Sequence, residues 1–203
     1  MGYAVTNIRN IYNTIGEAKT EEIISGFKCD LNPDIENFLK TRAIEFSKKS
    51  IAETFIVTTL LKNKTVIVGY FSLAYKITMV KKDVLKGITK NRLLRFAQFD
   101  KDKNYYLISL PLIGQISKNF FNNYNELISG DELLRMACEK VKEAQEIIGG
   151  RFVFLECADN ERLKEFYIDN GFRYFGERKL DRDERKYNTG ERLLKMVCDL
   201  SDF

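Results

Sequence analysis

Residues 128–132 (ISGDE) hold the first chemistry that this sequence offers. Ser129 and Glu132 stand three apart, the spacing at which each side chain bonds the other's backbone N–H and a helix begins. The first-turn amides of a helix lack intrahelical partners and the dipole is positive there, so the turn at Gly130 suits a phosphate or pyrophosphate. An ordinary capped helix uses the same residues, and on local chemistry alone the two readings stand level. Histidine is absent, which excludes His-dependent triads and His-ligated zinc. Any base is then a carboxylate, Tyr, Lys, Cys or water. Glu156, near the end of an apolar run, is the candidate carboxylate, with deprotonation through water an equal alternative.

Periodicity supplies the elements that must position these residues. Residues 105–117 (YYLISLPLIGQIS) read as a rigid apolar strand. After the connection 118–127, Leu134, Ala137, Val141, Ala144 and Ile148 have the spacing of one buried helical face, closed by Gly149-Gly150. Residues 151–157 (RFVFLEC) are a second strand. Beyond Asp159-Asn160 a short helix carries Leu163, Phe166 and Tyr167 inward and ends at Asn170-Gly171. Two strands joined by a helix form a parallel crossover, with ligands expected at the carboxyl ends of the strands beside the helix start.

Upstream, Asn32-Pro33-Asp34 opens a helix that buries Ile35, Phe38, Leu39 and Phe46, because Asn caps and Pro suits the first turn. Residues 54–61 and 65–75 form a hairpin around Lys62-Asn63-Lys64. Residues 1–26 are an N-terminal arm, with a short helix around 7–15 and no readable chemistry. In 76–104 the basic residues Lys81, Lys82, Lys86, Lys90, Arg92 and Arg95 interleave with Leu85, Ile88, Leu93, Leu94 and Phe96. An amphipathic basic helix or a solvated face accounts for that pattern. Residues 178–191 (RKLDRDERKYNTGE) read as a polar loop between a strand at 172–177 and a final strand, 192–200.

The second half of the crossover resembles the GNAT acetyltransferases. In that family the strand after the long helix is followed by Asn, then seven residues on by Tyr, then four on by Gly-Phe. Here these are Asn160, Tyr167, Gly171 and Phe172. Of the family's turn, Gln or Arg, two residues, Gly, one residue, Gly or Ala, the run 125–130 keeps the final glycine, Gly130, followed by Leu133 and Leu134. Residues 68–74 (VGYFSLA) look like the family's third strand.

The resemblance implies an α+β (α/β-type) domain over 1–203. Its mixed six- or seven-stranded sheet is flanked by helices, with a splayed parallel strand pair at the cofactor site and acceptor-side loops at 76–104 and 178–191. It implies acetyl transfer from acetyl-CoA to a primary amine of a small molecule, protein or aminoacyl-tRNA. Backbone amides of Ile116, Ser117 and Lys118 would pair with the pantetheine arm and the thioester oxygen. Those of Glu126, Leu127, Ile128, Ser129, Gly130 and Asp131 would hold the pyrophosphate. Asn160 would bond the pantetheine and Phe166 would pack on it. Tyr167 would be the general acid, its reference pKa near ~10 keeping a proton for the departing thiolate; a core tyrosine is the alternative. The phrases 69–74 and Phe166-Tyr167 are also similar to toxins that acetylate aminoacyl-tRNA. A GNAT-like acyl-CoA-binding module without catalysis is the reading from another class.

Composition is that of a soluble globular protein, with 44% hydrophobic and 31% charged residues and a net charge of +4. That charge licenses weak attraction to phosphate and leaves tRNA a partner expectation, alongside a homodimer. Cys29, Cys138, Cys157 and Cys198 have no C-x-x-C pair and read as buried reduced thiols. No apolar run approaches the ~18 residues of a membrane span, and a cytoplasmic protein without metal is expected. Residues 1–6 match the loose myristoylation pattern by chance.

Overall fold

A computed structural model describes residues 2–84, 87–181, 184–186 and 190–202. In chain order the elements are β1 (Tyr3–Asn7), α1 (Ile8–Ile15), α2 (Glu17–Ser25), α3 (Pro33–Thr41), α4 (Ala43–Lys48), β2 (Glu53–Leu61) and β3 (Lys64–Lys81). There follow α5 (Gly87–Leu93), β4 (Ala97–Asp100), β5 (Tyr105–Lys118), α6 (Gly130–Ile148), β6 (Phe152–Ala158), α7 (Glu161–Asp169), β7 (Arg173–Lys179) and β8 (Arg192–Asp199). The sheet has the order β1-β2-β3-β5-β6-β8-β7, with β4 paired to β5 off that path. It is mostly antiparallel, with β5 and β6 parallel as the α6 crossover requires.

Among the described residues eight strands are present where the resemblance implied six or seven. The additions are β1, from the N-terminal arm, and β4, from the segment read as an acceptor-side loop. The chain divides into two compact units, Met1–Ala74 with Ile113–Glu139, and Tyr75–Leu112 with Lys140–Phe203.

In the first unit β2 and β3 form the expected hairpin. Leu61 faces Lys64 across a turn of two residues, Lys62 and Asn63, both at positive φ of 48° and 64°, the mirror-image turn that matches strand twist. The edge strand β1 pairs antiparallel with β2, Tyr3 opposite Thr59. Asn32 caps α3 by accepting the Asp34 N–H, with Pro33 at the first helical position. Phe38 and Leu39 are buried as expected, whereas Ile35 and Phe46 are half-buried. Ile8, Ile24, Phe27, Phe38, Leu39, Ile44, Ile56 and Tyr70 make one core. Inside it the Tyr70 hydroxyl donates to the Ile35 carbonyl at 2.5 Å.

In the second unit β8 lies between β6 and β7, antiparallel to both. Phe152, Phe154, Phe175 and Val197 pack with Val80, Leu93, Ile108 and Leu110. Two sequence readings are corrected here. Residues 76–81 are strand: β3 continues with Thr78 and Val80 buried and Tyr75, Ile77 and Met79 exposed. That period of two was hidden because its outward positions are apolar. Residues 178 and 179 belong to β7 rather than to a loop. Leu85 and Lys86 of the basic segment, and residues 182–183 and 187–189 of the later loop, lie outside the described residues.

Helix α6 also departs from its expected face. Leu133, Leu134, Ala137, Cys138 and Val141 are buried, but Ala144 and Ile148 are exposed. Gln145 takes the inward position of the last turn, donating to the Phe152 carbonyl at 2.8 Å. A helix of 3.6 residues per turn reaches this position four residues after Val141, and the amide is tolerated there because it is bonded. Gly149, at φ 81°, then closes the helix, its N–H bonding the Gln145 carbonyl. In α7, Leu163 is exposed, against expectation, while Tyr167 is buried.

Candidate functional site

In the first unit the strand end, the connection and the helix start form one hydrogen-bonded assembly. Ser129 N–H donates to Glu132 Oε2 at 2.9 Å, and Glu132 N–H donates to Ser129 Oγ at 3.0 Å, the reciprocal pair read from the sequence. These bonds draw the Glu132 carboxyl below its usual range against the opposing effect of burial. Gly130 then opens α6 without a side chain.

The connection is shaped by residues that the motif reading passed over. Asn119, buried, accepts from Lys28 N–H at 3.0 Å and Phe121 N–H at 3.1 Å, while its amide donates to the Ile67 carbonyl at 2.8 Å. Its own N–H donates to the Val68 carbonyl at 2.8 Å. Three of these bonds fasten the end of β5 to β3 and to residue 28, and the fourth shapes the connection itself. Asn122 and Asn123 follow in the left-handed region, at φ 48° and 58°, which asparagine tolerates better than most residues. The Asn122-Asn123 pair was the available signal.

Ile116, Ser117 and Lys118 are half-buried along the end of β5. Ser117 Oγ donates to the Lys118 carbonyl at 2.9 Å and lies 3.2 Å from Cys29 Sγ. Gly69 of β3 lies close to them. A Cβ there would sit 3.0 Å from both the Ser117 carbonyl and Leu133 Cδ2, inside van der Waals contact. Of the turn residues, Ile128 is buried, Leu127 and Gly130 are half-buried, and Glu126, Ser129 and Asp131 are exposed.

In the second unit Asn160 caps α7, its Oδ1 accepting the Leu163 N–H at 3.2 Å. Tyr167 is 7% exposed. Its ring stands edge-on to Phe166 at 5.0 Å and to Phe172 at 5.8 Å. Burial, and secondarily Cys157, pushes the hydroxyl well above the usual tyrosine range, so it keeps its proton at neutral pH. Burial, with Asp159 adding to it, lifts Cys157 to about 11. All four cysteines are buried.

Glu156 sits among cations. Arg178 Nε donates to its Oε2 at 2.8 Å, Lys76 Nζ lies 3.4 Å from the same oxygen, and Lys195 is its cross-strand partner. Lys195 is 6% exposed and donates to the Met79 carbonyl at 3.1 Å. Burial pushes its ammonium down, and Glu156 partly offsets this. The placement gives Glu156 the character of a counter-ion. Glu156→Gln is therefore expected to lower stability by about 3 kcal/mol, the range for stranding one partner of a buried pair, read as a fall in urea midpoint. A general base would show a normal midpoint with lost turnover.

Among the described residues no cluster of His, Cys, Asp or Glu could hold a metal, and no helix is long and apolar enough to cross a membrane.

No family model and no curated protein matches the sequence. Solved structures do. AtaT complexed with acetyl-methionyl-tRNAfMet is similar at 16% identity and TM-score 0.61, covering 96% of this chain and 94% of that one. A tyrosine-to-phenylalanine mutant of KacT has the same identity, TM-score and coverage. A tyrosine-to-phenylalanine mutant of the AtaT toxin, bound to the C-terminus of the antitoxin AtaR and acetyl-CoA, is similar at 16% identity and TM-score 0.53, covering 95% and 91%. This chain has the GNAT fold. The GNAT arrangement accounts for the parallel β5 and β6, the long α6 between them and the short α7 that carries Tyr167.

Proposed function

We propose that this chain is an acetyl-CoA-dependent N-acetyltransferase, a single GNAT-like domain whose acceptor is the amino group of an aminoacyl-tRNA. The observation that carries the proposal is the likeness to AtaT with acetyl-methionyl-tRNAfMet over nearly the whole of both chains. That product is an acetylated amine on tRNA.

In this reading the backbone amides of Glu126, Leu127, Ile128, Gly130 and Asp131 hold the pyrophosphate, while the Ser129 N–H stays with Glu132. Two of the first-turn donors are shared out within the capping box, so the anion relies on the remaining amides and on the dipole. Ile116, Ser117 and Lys118 present backbone groups to the pantetheine arm and thioester oxygen, Asn160 bonds the arm through Nδ2, and Phe166 packs on it. The amine attacks the thioester carbonyl, the C–S bond breaks, and Tyr167 gives its proton to the departing thiolate. Burial keeps the Tyr167 hydroxyl protonated at neutral pH, although a raised pKa by itself makes it a weaker acid than an ordinary tyrosine. Water removes the amine's proton, since Glu156 is committed to its cations. The structural neighbours also direct attention to a tyrosine, two of them being tyrosine-to-phenylalanine mutants.

The AtaT structure with part of an antitoxin supports a protein partner as well as tRNA, and a homodimer and a cytoplasmic site of action belong to the same proposal. A second reading, an acyl-CoA-binding module without catalysis, is favoured by the burial of Tyr167. Calorimetric titration with acetyl-CoA, followed by thiol release with charged tRNA, tests both. Binding with release supports the enzyme, and binding with no release to any amine supports the module. An absence of binding refutes both.

A further inference from the structure

The N-terminal strand reaches the turn that the proposed function assigns to the coenzyme. Tyr3 Oη donates to the Leu127 carbonyl at 2.7 Å and lies 3.4 Å from Glu132 Oε2, the oxygen that also accepts the Ser129 N–H. Strand β1 is held in place for this by its partner β2. Tyr3 pairs with Thr59 in β2, and Thr59 Oγ1 donates to the Gly2 carbonyl at 2.8 Å. Burial, reinforced by Glu132, raises the Tyr3 hydroxyl above its usual range, so it remains a donor.

The consequence follows from peptide geometry. A trans peptide is planar and its C=O and N–H point in opposite directions. With the Leu127 carbonyl tied to Tyr3, the Ile128 N–H must point away from the Tyr3 hydroxyl. Ile128 is extended, at φ −145° and ψ 140°, and its side chain is buried, so the peptide between Leu127 and Ile128 has one fixed end and one oriented plane. Without the tyrosine hydroxyl the Leu127 carbonyl loses its partner, and rotation of that plane would exchange an outward donor for an outward acceptor.

We propose that Tyr3 is a positioning residue for the coenzyme: by holding the Leu127 carbonyl it presents the Ile128 N–H and orders the 127–132 turn for a pyrophosphate. The inference rests on the acetyl-CoA reading for the identity of the anion, and on the geometry alone for the restraint of the turn. Tyr3 touches no reacting atom. Its removal acts on coenzyme affinity and leaves the chemical step untouched.

Tyr3→Phe keeps the ring and deletes the hydroxyl. In the purified chain, amide hydrogen exchange without ligand is expected to quicken in a peptide covering 127–133, with little change in β2 or α1. Acetyl-CoA Kd and KM are expected to rise about 3- to 10-fold, the range for one lost hydrogen bond, with kcat within about twofold of wild type. Wild-type exchange and affinity would overturn the proposal. Exchange that quickens equally throughout β1, β2 and α1 would also overturn it, because Tyr3 would then be a general anchor of the edge strand. A fall in kcat at unchanged KM would overturn the positioning role. If wild type itself binds no acetyl-CoA, the functional reading fails, and the exchange pattern alone decides whether Tyr3 restrains the turn.

Discussion

Tyr167→Phe is expected to slow acetyl transfer by about 10- to 1,000-fold while leaving acetyl-CoA affinity near that of wild type. General-acid catalysis is typically worth ~100- to 10,000-fold, and water reaching the thiolate would recover part of it. The hydroxyl of Tyr167 is the only atom removed, and its ring would keep the edge-on stacking on Phe166 and Phe172. Losing one buried hydroxyl costs about 1–3 kcal/mol at most in bonding, so folding and turnover are separable. Single-turnover kinetics at saturating coenzyme, with an urea midpoint measured on the same sample, read the two effects. A variant that turns over normally but unfolds earlier would make Tyr167 a core residue.

Gly130→Glu is expected to abolish detectable acetyl-CoA binding while leaving the apoprotein at least as stable. Residue 130 is the first of α6, where a carboxylate complements the helix dipole by about 0.3–1 kcal/mol. In the proposed site the same charge would face the pyrophosphate. At ~4 Å and an effective dielectric of ~20, two like charges repel by about 4 kcal/mol, close to three orders of magnitude in affinity. Thermal shift with and without coenzyme separates the terms: the apoprotein midpoint stays or rises and the ligand-induced shift disappears. A preserved shift would put the coenzyme somewhere other than this turn.

What could be read from the sequence was local. Ser129 and Glu132 are three residues apart and find each other in any helix start. Lys62-Asn63 makes the hairpin turn, and Asn160 and Gly171 bracket α7, as read. The parallel relation of β5 and β6 followed from the helix between them. What could not be read depended on contacts between distant parts of the chain. Tyr3 and Leu127 are 124 residues apart, and nothing in the pattern of the N-terminal arm marks Tyr3 as different from the other tyrosines. Asn119 earns its place through residues 28, 67 and 68, brought to it by the sheet. Glu156 was legible as a carboxylate, but its cations Lys76, Arg178 and Lys195 come from three other strands. Without them a counter-ion cannot be told from a base. The second half of β3 was hidden because Ile77 and Met79 point outward and Thr78 inward, the reverse of the usual polarity.

The most direct measurement is mass spectrometry of charged tRNA after incubation with this protein and isotopically labelled acetyl-CoA. The account predicts the labelled acetyl group on the α-amino group of the aminoacyl moiety, dependent on enzyme and suppressed by Tyr167→Phe. Label appearing instead only on protein lysines would contradict the tRNA acceptor. Label on no amine, from a protein that binds acetyl-CoA, would contradict the transferase itself.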